Sequence, residues 1–131
     1  MGKIGFIGGG NMAEALIKGL IASGAVKKGD ITVSEPVDKR RAYLKSAYGV
    51  AVTGDNRDAA SKSDVVILSV KPNTIKKALL EISSQITAKK ILVSIAAGIT
   101  TASIAAALKK KAKIVRVMPN TPALVLSGAS V

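Results

Sequence analysis

Short apolar runs alternate along the chain with stretches in which apolar residues recur at helical spacing. Ile4 to Ile7, Ile31 to Ser34, Val50 to Thr53, Val65 to Val70, Ile91 to Ile95 and Ile114 to Met118 are rich in β-branched residues, which predicts six strands. Their continuous rather than alternating apolar character predicts that both faces of these strands are buried. Between them, Asn11 to Ser23 carries Met12, Leu16 and Leu20 beside Ala13, Ile17 and Ile21, two rows at four-residue spacing. Gly24 stands where that helix should stop. Val37 to Tyr48, ended by Gly49, then Asn56 to Ser63, Asn73 to Ser84 and Thr101 to Lys111 complete the predicted helices.

Strands that alternate with helices need right-handed crossovers and a parallel sheet. The expected architecture is therefore α/β, a Rossmann-type doubly wound and mostly parallel sheet of about six strands in the order 3-2-1-4-5-6. Any ligand of such a sheet lies across the carboxyl ends of its strands. The 131 residues suit a single domain, and no internal repeat, low-complexity tract or linker divides them. The apolar tail after Pro122 has no terminal cap, which points to a boundary within a longer protein, with 119–131 leading to a further domain.

The first strand runs into Gly8-x-Gly10-x-x-Ala13 at the opening of the first helix. In a dinucleotide-binding turn Gly8 allows the tight bend, Gly10 lets a pyrophosphate approach the backbone, and Ala13 packs helix on strand. The anion then sits on N–H groups that the first helical turn leaves unpaired. A glycine motif alone is weak, but its place between a strand and a helix supplies the context that the motif requires.

Composition narrows the alternatives. Aromatic residues make up only 2% of the chain, so stacking platforms for nucleic-acid bases are scarce. The net charge of +12 attracts polyanions, yet the densest run, Lys109 to Lys111 with Lys113, falls where a helix ends and where cations suit its dipole. No nucleic-acid partner is expected. The chain has neither cysteine nor histidine, which removes disulfides, thiolate nucleophiles and the usual transition-metal ligands, and no metal site is expected. A membrane span needs about eighteen uninterrupted apolar residues, and the N-terminus lacks the layout of a signal peptide. A cytoplasmic protein without a membrane partner is the simplest reading.

Further candidates cluster where strands end. Glu35, closing the second strand, stands near the place where an acid bonds the ribose 2′-hydroxyl of NAD, while Lys39, Arg40 and Arg41 would suit the 2′-phosphate of NADP. The same residues also read as a solvated strand end and an exposed helix face. Asn56 is either the cap of a short helix or a ligand of the adenosine part. Ser69-Val70-Lys71-Pro72 closes the fourth strand on the nicotinamide side, with Lys71 a point charge or an ordinary edge lysine. After the fifth strand, Ser94 to Thr101 is rich in small residues, which either let a flat ring reach backbone or form a strand-to-helix turn with Gly98 supplying the dihedral and Thr100 or Thr101 the cap. Asn120 and Thr121 lie in a proline-stiffened loop at the same rim.

Taken together, these segments resemble the N-terminal half of pyrroline-5-carboxylate reductases. The resemblance is carried by 4–13, by Val70-Lys71-Pro72, by 94–100 and by Arg116 to Pro122, in the family's order and spacing. It implies cofactor contacts at Ile7, Gly8, Gly9, Gly10, Asn11 and Met12, at Ser34 and Glu35, at Asn56, at Ser69, Val70, Lys71 and Pro72, and at Ile95, Ala96 and Ala97. It places Asn120 and Thr121 on the substrate-side rim. It implies hydride transfer from NADPH, or from NADH given the acid Glu35, to 1-pyrroline-5-carboxylate, forming L-proline. It also implies a C-terminal helical domain that forms a homo-oligomer and supplies most of the substrate pocket, so that this segment alone should turn over little substrate.

No catalytic side chain is assigned. A protonated imine already carries the charge that lets its carbon accept hydride, whereas carbonyl reduction calls for a proton donor such as His, Lys or Tyr. A chain without histidine suits the imine better. Two alternatives remain at this point: a β-hydroxyacid dehydrogenase-like enzyme sharing the glycine loop, and a non-catalytic NAD(P)-binding regulatory module.

Overall fold

The computed structural model describes residues 2–95, 99–108, 110 and 112–117. Their elements follow the predicted alternation: β1 (Ile4–Ile7), α1 (Asn11–Ala22), β2 (Ile31–Ser34), α2 (Asp38–Tyr48), β3 (Ala51–Thr53), α3 (Asn56–Ser61), β4 (Val65–Leu68), α4 (Ile75–Ile82), β5 (Ile91–Ser94), α5 (Thr101–Leu108) and β6 (Lys113–Arg116). The six strands form one sheet in the order β3-β2-β1-β4-β5-β6. All five pairings are parallel, with Ile4 opposite both Ile31 and Val65.

Strand side chains point alternately to the two faces, and that period of two sorts the core into two layers. Ile4, Phe6, Ile31 and Val33 pack with Ala13 and Ile17 of α1 and Leu44 of α2. Ile7, Val66, Leu68 and Leu92 pack on the opposite face with α3, α4 and α5 through Ala59, Leu79 and Ile104. The chain changes face between β3 and β4. The sheet grows outward from β1 to β3 and then from β4 to β6, so the switch point falls between β1 and β4, the crevice that binds ligands in this architecture.

Burial of both faces holds for the central strands and fails at the edges. All four residues of β1 are buried, but in β6 only Ile114 is partly covered, and Val115 is 47% exposed. Among the described residues β6 and β3 each have one neighbour, so an apolar run there gains a partner on one side only. Helix ends follow the glycine signals: Gly49, at φ 72°, receives α2 in the left-handed region and its N–H donates to the Lys45 carbonyl at 2.9 Å. The fourth strand stops at Leu68, two residues before its predicted end. Ser69 turns back toward β1 there, and Pro72, which has no N–H, opens a 3-10 turn over Pro72–Thr74.

Among the described residues no helix is long and apolar enough to cross a membrane. The lysine run behaves as a helix end only in part. α5 ends at Leu108, and the Lys110 ammonium donates to the carbonyls of Ser83 (2.6 Å) and Ile86 (3.1 Å), fastening the end of α5 to the turn after α4; Lys109 and Lys111 lie outside the described residues.

Candidate functional site at the carboxyl ends of the strands

The site begins where β1 meets α1. Gly8 takes φ 101°, a conformation that strains any residue with a Cβ, and a Cβ there would sit 2.9 Å from the Ser69 carbonyl oxygen. Ser69 closes the same contact from β4: its N–H donates to the Ile7 carbonyl at 2.9 Å, and its hydroxyl donates to the Gly8 carbonyl at 2.7 Å. The turn is thereby tied across the switch point.

Gly9 is buried, and a Cβ would meet Leu44 Cδ1 at 2.8 Å. Gly10 differs. It is exposed at the N-cap of α1 in extended conformation, and a Cβ there would meet nothing within 4 Å. No side chain caps this helix. The first intrahelical donor is the Glu14 N–H, which reaches the Gly10 carbonyl at 3.0 Å, so the preceding N–H groups, those of Asn11, Met12 and Ala13, face out of the helix end. Open space beside unpaired amides is what a diphosphate requires, and the helix dipole favours its charge.

Beside this turn the edge is built by β2 and α3. Ser34 is buried at the end of β2, and its hydroxyl donates to Asn56 Oδ1 at 2.5 Å. Asn56 does not cap α3. Asp55 does, its carboxylate accepting the Arg57 N–H at 3.0 Å. With its oxygen taken by Ser34, the Asn56 amide keeps its Nδ2 donors for a ligand oxygen.

Three charged residues of this side, Glu35, Arg40 and Arg41, are partly covered, whereas Asp38 and Lys39 are exposed. Glu35 accepts the Gly9 N–H (3.1 Å) and the Val37 N–H (2.9 Å), one on each carboxylate oxygen. Arg40 donates from Nε to the Gly9 carbonyl (2.6 Å) and from Nη2 to Glu14 (2.7 Å). Arg41 donates to the Glu35 carbonyl at 2.6 Å and pairs with Asp38. Behind Arg40, the Glu14 carboxylate receives the hydroxyls of Tyr43 (2.6 Å) and Tyr48 (2.5 Å). The Tyr43 and Tyr48 hydroxyls, with Arg40, hold the Glu14 carboxyl below its usual range against the opposing effect of burial. The Glu14 carboxylate in turn pushes the Tyr48 hydroxyl up, and burial adds to the push.

Beyond the end of β4 Val70 is half-buried, and Lys71 and Pro72 are exposed. Ile95 is buried at the end of β5, its N–H donating to the Leu68 carbonyl at 3.3 Å. The turn between β1 and α1, Ser34, Asn56, Ser69 to Pro72 and Ile95 thus all stand at the carboxyl edge of the sheet. Ala96, Ala97, Asn120 and Thr121 lie outside the described residues. Two surface hollows flank rather than fill this edge. One of about 570 Å³ lies between α4 and α5, lined by Pro72, Ile75, Leu79 and Ile99, and one of about 470 Å³ runs along α1 from Asn11 past Glu14 to Ala22. The Glu14–Tyr43–Tyr48 cluster has no local signal in the sequence, because Tyr43 and Tyr48 lie 29 and 34 positions beyond Glu14.

Fold and site define the chain as a doubly wound α/β domain of dinucleotide-binding type. A family model described as NADP oxidoreductase, coenzyme F420-dependent, matches residues 3–98, and the chain belongs to that family. Among curated proteins it is similar to the pyrroline-5-carboxylate reductase of Escherichia coli (strain K12), 44% identical over 126 residues that cover 96% of this chain and 47% of the relative. Among solved structures, the pyrroline-5-carboxylate reductase of Coxiella burnetii superposes with a TM-score of 0.88 at 41% identity, over 95% of this chain and 46% of that one. The Plasmodium falciparum pyrroline carboxylate reductase, solved with NADP bound, gives a TM-score of 0.81 at 30% identity, over 94% and 44%. The chain spans about half the length of the curated relatives it matches.

Proposed function

We propose that this chain is the cofactor-holding part of a reductase that forms L-proline from 1-pyrroline-5-carboxylate, with NADPH as the favoured donor and NADH as the second. The observation that carries the proposal is the open space at Gly10 beside the uncapped start of α1, in a chain 44% identical to a pyrroline-5-carboxylate reductase over that turn and nearly all that follows. The residues fit the group: amides for the diphosphate, Asn56 donors for the ribose end, and the exposed Lys71 beyond β4 for phosphate charge.

A reduced nicotinamide held by these residues would supply the hydride that a protonated imine carbon accepts, the imine becoming the secondary amine of proline. The chain's own part is orientation. Gly8 and Ser69 fix the bend that directs α1 at the diphosphate, and the ends of β4 and β5 form the wall past which the nicotinamide runs. Residues 1–131 act as the dinucleotide-binding domain, with 119–131 leading toward a helical domain that supplies the substrate pocket and the oligomer contact.

Joining this chain to the C-terminal half of a pyrroline-5-carboxylate reductase tests the reading. The hybrid is expected to consume NADPH on addition of pyrroline-5-carboxylate, and this chain alone to consume little. A folded hybrid that binds NADPH yet leaves it unoxidised would overturn the assignment of the reaction.

A further inference from the structure

Glu35 closes β2, where an acid in this architecture accepts from the ribose 2′-hydroxyl and so selects NAD over NADP. Its carboxylate is already engaged. One oxygen accepts the Gly9 N–H, the other the Val37 N–H, and the Glu35 carbonyl is held by Arg41. From the other side Arg40 holds the Gly9 carbonyl, and Arg40 is itself braced by Glu14. The two polar groups of Gly9 are therefore gripped by β2–α2 residues more than twenty positions away in sequence, one step before the glycine that opens the diphosphate space.

We propose that Glu35 and Arg40 form a clamp on Gly9, and that Glu35 is a positioning residue for the diphosphate turn rather than a selector of the cofactor's ribose. Each carboxylate oxygen already accepts one backbone N–H, and turning the carboxylate outward to a sugar hydroxyl would strand the buried Gly9 amide. The clamp acts equally on every dinucleotide that uses the turn. An acid at the end of β2 is thus compatible with NADPH here, and discrimination between the two cofactors passes to other groups at the ribose end. Only this last consequence rests on the proposed cofactor.

Amide hydrogen exchange by NMR on the cofactor-free protein, paired with NADPH and NADH titrations, tests the clamp in the wild type, Glu35→Gln and Glu35→Ala. Gln keeps one acceptor oxygen and serves as the conservative variant. In Glu35→Ala the Gly9 amide should exchange about tenfold faster or more, with a smaller change in Glu35→Gln. The two dissociation constants should rise by a common factor, leaving their ratio within about twofold of the wild type. A Gly9 amide that exchanges no faster in Glu35→Ala overturns the clamp, and a tenfold swing of the ratio toward NADPH restores Glu35 as a selector. A wild type that binds neither nucleotide defeats the reductase reading, while the exchange rates still decide the clamp.

Discussion

Gly8 and Ser69 meet across the switch point of the sheet: the Ser69 hydroxyl donates to the Gly8 carbonyl at 2.7 Å, and the Ser69 carbonyl oxygen would lie 2.9 Å from a Cβ at Gly8. Positive φ and close approach coincide at one residue, so Gly8→Ala strains the backbone and collides with Ser69 and Val70 at once. A loss of about 1–3 kcal/mol is expected, measured as a lower urea midpoint. Ser69→Ala removes hydroxyl bonds only and should cost about 1 kcal/mol. Equal midpoints for Gly8→Ala and the wild type would contradict this account of the turn.

Gly10 provides the contrast. Its φ of −79° suits any residue and a Cβ there meets nothing, so Gly10→Ala should change stability by less than about 1 kcal/mol, within the range of a helix-cap substitution. Urea unfolding of the two alanine variants side by side checks the prediction, and a Gly10 variant as unstable as the Gly8 one would show that the space is structural.

Stability should fall at both ends of the pH scale through the Glu14–Tyr48 pair. The Glu14 carboxyl is held below its ordinary 4.5, chiefly by Tyr43 and Tyr48, so its contribution is complete above that value and is lost as pH falls through the folded value. The Tyr48 hydroxyl is raised above its ordinary 10.0, chiefly by the Glu14 carboxylate, so its contribution is complete below 10.0 and is lost as pH climbs beyond it. Urea midpoints across pH should show Tyr48→Phe flattening the alkaline decline. A decline unchanged in that variant would remove Tyr48 as its source.

The sheet's centre and edge should respond differently to truncation. Leu92 in β5 is fully buried, and Leu92→Ala is expected to cost about 2–5 kcal/mol. Val115 in β6 is 47% exposed, and Val115→Ala should stay within about 0.5 kcal/mol. Calorimetric unfolding checks both, and comparable losses would mean that β6 is covered.

What could be read from the sequence was what depends on neighbours along the chain. β1, β4 and the helix stops at Gly24 and Gly49 follow from local apolar runs and glycine chemistry, and the alternation of elements dictated the strand order. The exposure of Val115 could not be read the same way, because an edge strand is defined by its place in the sheet rather than by its own residues. Asp55 and Asn56 are adjacent and both suit a helix cap, so a shift of one residue decided which became the cap and which the partner of Ser34. Glu35 was recognised as a strand-end acid, but its partner Gly9 lies 26 residues away, and only the packed fold brings the two together.

Titration of NADPH into the wild type and Gly10→Val, followed by nicotinamide fluorescence, tests the central claim most directly. Saturable one-to-one binding to the wild type is predicted, weakened at least about tenfold in Gly10→Val because its side chain fills the diphosphate space. Binding of equal strength by both proteins, or none by the wild type, would contradict it.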